Sequence, residues 1–117
     1  MALLETWREA GDVAVVHLSG KITLGDGGPT LRRVVRELLD AGHRKILFNL
    51  SDVDYIDSYG IGEMVAAHTK VCAAHGELKL IYLTRRLRDI LQITRLVTVF
   101  DVQPDEETAL SSFAKSP

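Results

Sequence analysis

A short apolar segment lies near the middle of the chain and limits the possible folds more than any other stretch: Lys45-Ile46-Leu47-Phe48-Asn49-Leu50. Its nearly continuous apolar character is typical of a strand that is buried on both faces, not of a strand with one face in water. Such a strand needs packing elements on both of its sides. We therefore expect a layered structure in which this segment is a central strand of the sheet.

The residues before this strand predict an N-terminal hairpin followed by a helix. Residues 2–8 are a weak strand candidate, and the β-branched segment 13–18 is a stronger one that Ser19-Gly20 closes. Residues 22–24 lead into a glycine-rich turn over residues 25–29. Apolar residues at three-to-four spacing and a terminating glycine predict the helix. These residues are Leu31, Val34, Val35, Leu38, Leu39 and Gly42.

After the central strand, residues 51–58 are expected to form a loop with three aspartates, and a second helix to run from about Tyr59 to Gly76. Residues 78–83 predict the next strand. Thr84 is the expected N-cap of a third helix. Four residues of that helix are expected to face inward: Leu87, Ile90, Leu91 and Thr94.

The last segments are a short edge strand over residues 97–102 and a helix that begins at Pro104, with acidic residues in its first turn where the helix dipole favours anions. A hairpin followed by alternating helices and strands predicts an α/β fold. We expect a mixed sheet of four to five strands with about four helices.

Size and composition limit the classes of protein that remain. A chain of 117 residues buries about two-thirds of its surface on folding, which predicts one domain over residues 1–117, with residues 114–117 frayed. The net charge of −2 argues against nucleic-acid binding. A single cysteine indicates a reducing compartment, and no apolar run reaches the ~20 residues that span a bilayer. The expected location is the cytoplasm.

Catalytic interpretations of the aspartate-rich segment lack the residues that they need. Asp52, Asp54 and Asp57 follow a strand as in metal-dependent phosphotransferases, but no second acidic cluster completes that site. A hydrolase serine elbow requires glycine two residues before Ser58, where Ile56 stands. Gly60-x-Gly62 lacks the third glycine of a dinucleotide fingerprint. The chain is therefore not expected to be an enzyme.

Two further clusters have a structural and a functional interpretation. His68, Cys72 and His75 have a spacing that zinc ligands use on a helix, yet their apolar neighbours favour a packing face, so no metal is expected. Four arginines make the third helix basic, which is typical of a solvated face and less often of contact with an acidic partner or a phosphate. They are Arg85, Arg86, Arg88 and Arg95.

Ser58 is the remaining candidate, because it lies where the loop after the central strand enters a helix. One hypothesis is that Ser58 only caps the helix. The other is that Ser58 is phosphorylated, which would add about −1.5 to −2 charges beside a helix N-terminus. The chemistry of the residues leaves both hypotheses open.

The segment around Ser58 also carries a family resemblance. Val53-Asp54-Tyr55-Ile56-Asp57-Ser58-Tyr59-Gly60-Ile61-Gly62 resembles the signature of STAS domains, the family of bacterial anti-sigma factor antagonists and of sulfate transporter tails. Residues 18–23 are similar to the second strand and following loop of the family, and residues 91–100 and 105–110 to its C-terminal end. The resemblance thus covers nearly the whole chain.

The resemblance implies an anti-sigma factor antagonist. Such a protein binds an anti-sigma factor that is also a serine kinase, and thereby frees a sigma factor for transcription. The kinase supplies ATP and magnesium, so the chain itself needs no cofactor; it phosphorylates the serine after the aspartate, here Ser58, and a phosphatase resets the switch. The implied docking surface comprises Thr23, Leu24, Gly25, Asp26, Asp57, Ser58, Tyr59, Gly60, Ile61 and Glu63.

Two residues depart from the family pattern. Tyr59 stands where many relatives have a small residue, and a bulky ring beside Ser58 either anchors an interface or obstructs a kinase. Thr23 stands where relatives often carry aspartate. The alternative function is therefore a constitutive STAS scaffold or subunit of a signalling or lipid-transport assembly, with no phosphorylation switch. An N-terminal edge strand predicts a monomer or a weak dimer.

Overall fold

The computed structural model describes residues 3–25 and 27–114. Within these residues, strands and helices follow one another in the predicted order, with a hairpin first and a helix last. They are β1 Leu4–Ala10, β2 Val13–Ile22, α1 Gly28–Asp40, β3 Lys45–Ile56, α2 Ser58–Ala73, β4 Glu77–Ile81, α3 Arg85–Ile93, a 3₁₀ turn Leu96–Thr98, β5 Asp101–Gln103 and α4 Glu106–Ala114. The predicted α/β class is confirmed.

The five strands form one mixed sheet in the order β1-β2-β3-β4-β5. β1 pairs with β2 antiparallel, and the three other pairings are parallel. β3 lies at the centre, as its continuous apolar segment predicted. Its residues alternate between two packing clusters, since Ile46 and Phe48 belong to one cluster and Leu47 to the other. A strand that is buried on both faces is therefore apolar at successive positions.

The larger cluster packs the apolar sides of α1, α2 and α3 against the sheet. The smaller cluster packs α4 against the other face, through Ala109 and Phe113. One charged side chain is buried beside it: Lys79 is 6% exposed. Its ammonium lies 2.6 Å from a carboxylate oxygen of Asp101 and 5.0 Å from the centre of the Phe113 ring. The ion pair and the contact with the ring offset the free-energy cost of burying the ammonium group.

The carboxyl end of β3 differs from the prediction of a loop over residues 51–58. The strand continues to Ile56, because Val53 and Ile56 are buried and because β2 also extends, to Ile22, and pairs with it. Two register shifts accommodate this pairing, one between His17 and Ser19 and one between Gly20 and Lys21. The prediction that β2 closes at Ser19-Gly20 is therefore wrong, since these residues lie inside the strand.

The predicted packing face of α2 is correct for only part of its length. His68 is half-buried with its ring edge-to-face on Phe100, at 5.6 Å between centres. Cys72 and His75 are exposed, and His75 lies beyond the helix end with a φ of 63°. The helix ends at Ala73, and Gly76 closes it as predicted, because its amide donates to the carbonyl of Val71 at 2.9 Å. Among the described residues, no three or more His, Cys, Asp or Glu side chains lie together as metal ligands would.

The C-terminal part of the chain departs from the prediction in small ways. Residues 97–102 are not one strand, since a 3₁₀ turn precedes the three residues of β5. Thr94 is exposed and its hydroxyl donates to the carbonyl of Ile90 at 2.8 Å, so it is not inward-facing. Thr84 caps α3 as predicted and accepts from the amide of Leu87. α4 begins at Glu106, after Asp105, whose carboxylate accepts from Thr108 at 2.7 Å.

Among the described residues, no helix has the length and apolar character that crossing a bilayer requires.

Candidate functional site

The candidate site lies at the edge of the sheet where β2 and β3 end. The two strands are parallel, so their carboxyl ends and the helices that follow them meet at one edge. This placement joins the two separate segments of the predicted docking surface, residues 23–25 after β2 and residues 57–63 after β3. Asp26 lies outside the described residues.

Asp57 connects these two segments. One carboxylate oxygen accepts from the amide of Gly60 at 2.8 Å, and the other accepts from the amide of Leu24 at 3.1 Å. Its own amide donates to the carbonyl of Ile22 at 3.3 Å. The N-cap of α2 is therefore Asp57, and the hypothesis that Ser58 caps this helix is wrong. Both residue types are good caps, but only the carboxylate has a second oxygen for the neighbouring loop.

The same hydrogen bonds explain the electrostatic state of Asp57. The amides of Gly60 and Leu24 hold the pKa of this carboxyl group below its ordinary value of 3.8, because they stabilise the charged form. The carboxylate is thus ionised at neutral pH. It contributes one fixed negative charge directly before Ser58.

Gly60 permits the close approach of α2 to β2. A Cβ atom at this position would lie 1.8 Å from the carbonyl oxygen of Ile22 and 2.7 Å from the side chain of Ile56. Gly62, two residues later, has open space around its Cα. The two glycines of Gly60-x-Gly62 therefore have different roles, and only the first is required by packing.

Ser58 is the first residue of α2, and its side chain is exposed. Among the described residues, no hydrogen-bond partner is found for its hydroxyl group. The amides of a helix's first turn point toward this end of the helix, and they favour negative charge there. Ser58 is thus accessible to a modifying enzyme, and an anion on it would lie near the positive end of the helix dipole.

Tyr59 does not extend freely beside Ser58. Its ring lies over the start of α1, where a Cβ atom on Gly28 would be 2.7 Å from the ring. Its hydroxyl donates to Glu63 at 3.1 Å and accepts from Arg32 at 3.4 Å. Arg32 also pairs with Glu63 at 3.0 Å. These contacts fix the ring against α1, so the tyrosine is part of the surface beside the serine.

The remaining predicted docking residues differ in accessibility. Leu24 is 73% exposed and Tyr59 is 37% exposed, which gives the surface two apolar or aromatic groups. Thr23 and Ile61 are half-buried, Gly60 is buried and Gly25 is exposed. The carboxyl-bearing side chain of Glu63 is only 11% exposed, because Arg32 and Tyr59 cover it. Glu63 therefore supports Tyr59 more than it offers a free contact.

Sequence reasoning missed three features of this region. Gly28 and Arg32 complete the surroundings of Tyr59. Gly28 was expected only as part of the glycine-rich turn over residues 25–29, and no local motif marks Arg32, because its contact with Tyr59 joins two different helices. His17 and Asp52 form a pair, with 2.7 Å between Nε2 and a carboxylate oxygen. Their pairing depends on the register shift between β2 and β3, which the sequence does not reveal.

Comparisons with known proteins agree with this arrangement. The STAS domain family matches residues 6–109. The anti-sigma-B factor antagonist of Bacillus subtilis is 33% identical over 92 residues, which are 79% of this chain and 83% of that protein. The name of this relative describes an antagonist of another regulatory protein, which agrees with the prediction that this chain is not an enzyme.

Solved structures show the same fold. The crystal structure of an anti-sigma factor antagonist from Mycobacterium paratuberculosis has a TM-score of 0.84 at 20% identity and covers 97% of this chain and 96% of that one. The Bacillus cell fate determinant SpoIIAA in its phosphorylated form has a TM-score of 0.69 at 18% identity, with 93% and 98% covered. From the family match over most of its length, the chain belongs to the STAS domain family.

Proposed function

We propose that this chain is an anti-sigma factor antagonist that Ser58 phosphorylation switches off. The observation that carries the proposal is the exposed Ser58 at the first position of α2, directly after the capping Asp57. The names of the curated relatives support the antagonist function, and a related fold has been solved in a phosphorylated form. The partner is an anti-sigma factor with serine kinase activity, and a serine phosphatase reverses the modification.

The unmodified surface suits protein binding. Leu24 and Tyr59 are exposed apolar and aromatic groups of the kind that anchor interfaces. Asp57 holds the loop of Leu24 against α2, and Glu63 and Arg32 hold the tyrosine ring. Because these groups are ordered before binding, little conformational entropy is lost when a partner covers them.

The modification itself changes charge at this surface. The kinase transfers the γ-phosphoryl group of its Mg-ATP to Oγ of Ser58; the hydroxyl proton goes to a base of the kinase, and ADP leaves. The product has about −1.5 to −2 charges at pH 7, beside the ionised Asp57. Burying these adjacent anions in an interface requires desolvation, and each ~1.4 kcal/mol of cost lowers affinity tenfold.

The test uses the anti-sigma factors with a kinase domain that the same genome encodes, each purified and measured individually. Calorimetry should show one that binds the wild-type chain and Ser58→Ala, and does not bind Ser58→Asp. With Mg-ATP, intact mass should show one phosphate on the wild-type chain, and peptide mapping should place it on Ser58. Ser58→Ala should gain none.

Ser111→Asp is the matched control, because Ser111 is an exposed serine on α4, far along the chain from this surface. It adds the same charge and should leave binding unchanged. Equal binding of Ser58→Asp and the wild-type chain, with no phosphate transfer, would refute the switch. That result would favour the constitutive scaffold.

A further inference from the structure

A groove on α1 lies beside the surface that contains Ser58. Its lining residues are Pro29, Arg32, Arg33 and Arg36, and its volume is about 370 Å³. We call it the arginine groove. The chain as a whole carries a net charge of −2, so this concentration of three guanidinium groups is a local feature and does not reflect a basic protein.

The three arginines are compensated to different degrees. Arg33 pairs with Glu5 at 3.1 Å and with Glu37 at 2.9 Å. Arg32 pairs through Nε with Glu63, yet its side chain is 57% exposed. Arg36 is exposed, and among the described residues no carboxylate lies within ion-pair distance of it. Uncompensated positive charge in the groove therefore comes mainly from Arg36, while the guanidinium group of Arg32 is paired with Glu63 but still partly exposed.

This arrangement is unfavourable for an isolated helix. Arg32 and Arg36 are four residues apart, so their side chains are neighbours on the surface of α1, and like charges at this spacing destabilise a helix. The first turn of α1 also contains no acidic residue. In the folded protein Glu63 offsets part of this repulsion through Arg32, and an anionic group beside Arg36 would offset the rest. Carboxylates fit this role well, because each can accept two parallel hydrogen bonds from a guanidinium group.

The arginine groove is continuous with the Ser58 surface. A terminal nitrogen of Arg32 donates to the hydroxyl of Tyr59 at 3.4 Å, and Tyr59 directly follows Ser58 in the first turn of α2. A partner that covers Ser58 and Tyr59 therefore reaches Arg32, and beyond it Arg36, without crossing another element of the fold. The basic groove and the modified serine form one surface.

We propose that the arginine groove binds an acidic segment of the same anti-sigma factor that contacts Ser58. The inference rests on the proposed function, and it names the chemistry of the partner: aspartate or glutamate side chains placed opposite Arg36 and Arg32. Charges at the rim of an interface act mainly on the association rate and on partner choice. The groove thus selects among anti-sigma factors, while Ser58 controls release.

The test measures binding kinetics with the individual anti-sigma factor that binds the wild-type chain. Arg36→Glu should lower the association rate and the affinity roughly three- to tenfold at about 0.05 M NaCl, and the difference should nearly vanish at about 0.5 M NaCl. The association rate and affinity of Arg36→Gln should lie between those of the wild-type chain and those of Arg36→Glu. Arg88→Glu is the matched control, because Arg88 is exposed on α3 and the substitution changes the net charge equally.

Each outcome decides between the alternatives. A loss that is specific to Arg36→Glu and sensitive to salt supports the groove as the docking site. Equal effects of Arg36→Glu and Arg88→Glu, or no effect of either, overturn it while the switch at Ser58 stands. Vesicles of phosphatidylglycerol serve as a second probe: if the wild-type chain binds them and Arg36→Glu does not, while binding to the anti-sigma factor is unchanged, the proposal is also overturned. Failure of the wild-type chain to bind any anti-sigma factor refutes the proposed function itself.

Discussion

Gly60→Ala tests whether the contact between α2 and β2 holds the candidate site in place. The added Cβ atom would lie 1.8 Å from the carbonyl oxygen of Ile22 and 2.7 Å from its carbonyl carbon. Real Cβ contacts are not shorter than 3.0 Å, so the first turn of α2 must move by more than about 1 Å. The obstacle is backbone and not a flexible side chain, so the cost is at the upper end for overpacking, ~3 kcal/mol.

Gly62→Ala is the control within the same helix, because open space surrounds that position. Replacing glycine by alanine in a helix stabilises by about 1 kcal/mol, and both variants receive this gain. The net expectation is a loss of ~2 kcal/mol for Gly60→Ala and a gain of up to ~1 kcal/mol for Gly62→Ala. With a urea m-value of about 2 kcal/mol/M, the two unfolding midpoints should differ by about 1.5 M.

Urea titrations followed by circular dichroism measure both midpoints. If Gly60→Ala unfolds within about 0.3 M of the wild-type chain, the close approach of α2 to β2 is not required and the reasoning fails. If Gly62→Ala is destabilised as much as Gly60→Ala, the effect comes from the helix backbone and not from the contact with Ile22.

Three further predictions concern single side chains. Asp57→Asn should be less stable than the wild-type chain at pH 7. The pKa of Asp57 is held below 3.8 in the folded state, so the charged carboxylate stabilises the fold above pH 3.8. This stabilisation is lost as the pH falls through the lowered pKa of the folded state. The urea midpoints of the two proteins should therefore draw together as the pH falls below 3.8, and a difference that is constant with pH would contradict this account. Asp101→Asn removes the carboxylate that lies 2.6 Å from the buried ammonium of Lys79 and leaves the more distant Glu77, at 3.9 Å. It should cost about 1–3 kcal/mol by urea unfolding, whereas Lys79→Met should be nearly neutral. Thr84→Ala removes the cap that accepts from the amide of Leu87 at 3.3 Å and should lower the thermal midpoint by roughly 3–6 °C, with no change counting against the cap.

The architecture was predictable where apolar residues follow the period of their element. The segment 45–50 predicted a central strand because a strand buried on both faces has no polar face to show. The inward residues Leu31, Val34 and Leu38 predicted α1 for a different reason, because their spacing matches the helix period. In both cases the burial of apolar side chains follows a pattern within the segment, so the sequence of that segment alone predicts the strand or the helix.

The segments that form the candidate site were predicted from the sequence, but the local structure of residues 51–58 and the residue that caps α2 were not. Asp52 and Asp54 suggested a loop because aspartate favours turns, yet both are exposed positions on β3, between inward residues that hold the strand in the sheet. Asp57 and Ser58 are equally good caps by sequence alone. The choice between them depends on the amide of Leu24, which lies 33 residues away in the chain.

The position of Tyr59 could not be read from its neighbours either. From the sequence, the tyrosine beside Ser58 could either anchor an interface or obstruct a kinase, and the neighbouring residues do not distinguish these two roles. Its ring lies on Gly28 of α1, where only a residue without a side chain leaves room, and its hydroxyl accepts from Arg32, which is also in α1. Pairings between separate helices leave no periodic signal in the chain, so they emerge only from the folded structure.

The hydrogen bonds of Asp57 bear on how a phosphate at Ser58 would act. One carboxylate joins the loop after β2 to the first turn of α2, and Gly60 lets that turn rest on the backbone of Ile22. The hydroxyl of Ser58 takes part in none of these contacts, so a phosphate on it removes no bond that holds the site together. The proposed modification would therefore act through its added charge and bulk, while these hydrogen bonds stay in place. The added charge would be effective here because the neighbouring carboxylate is already ionised, and a partner that covers the surface would have to desolvate both anions at once.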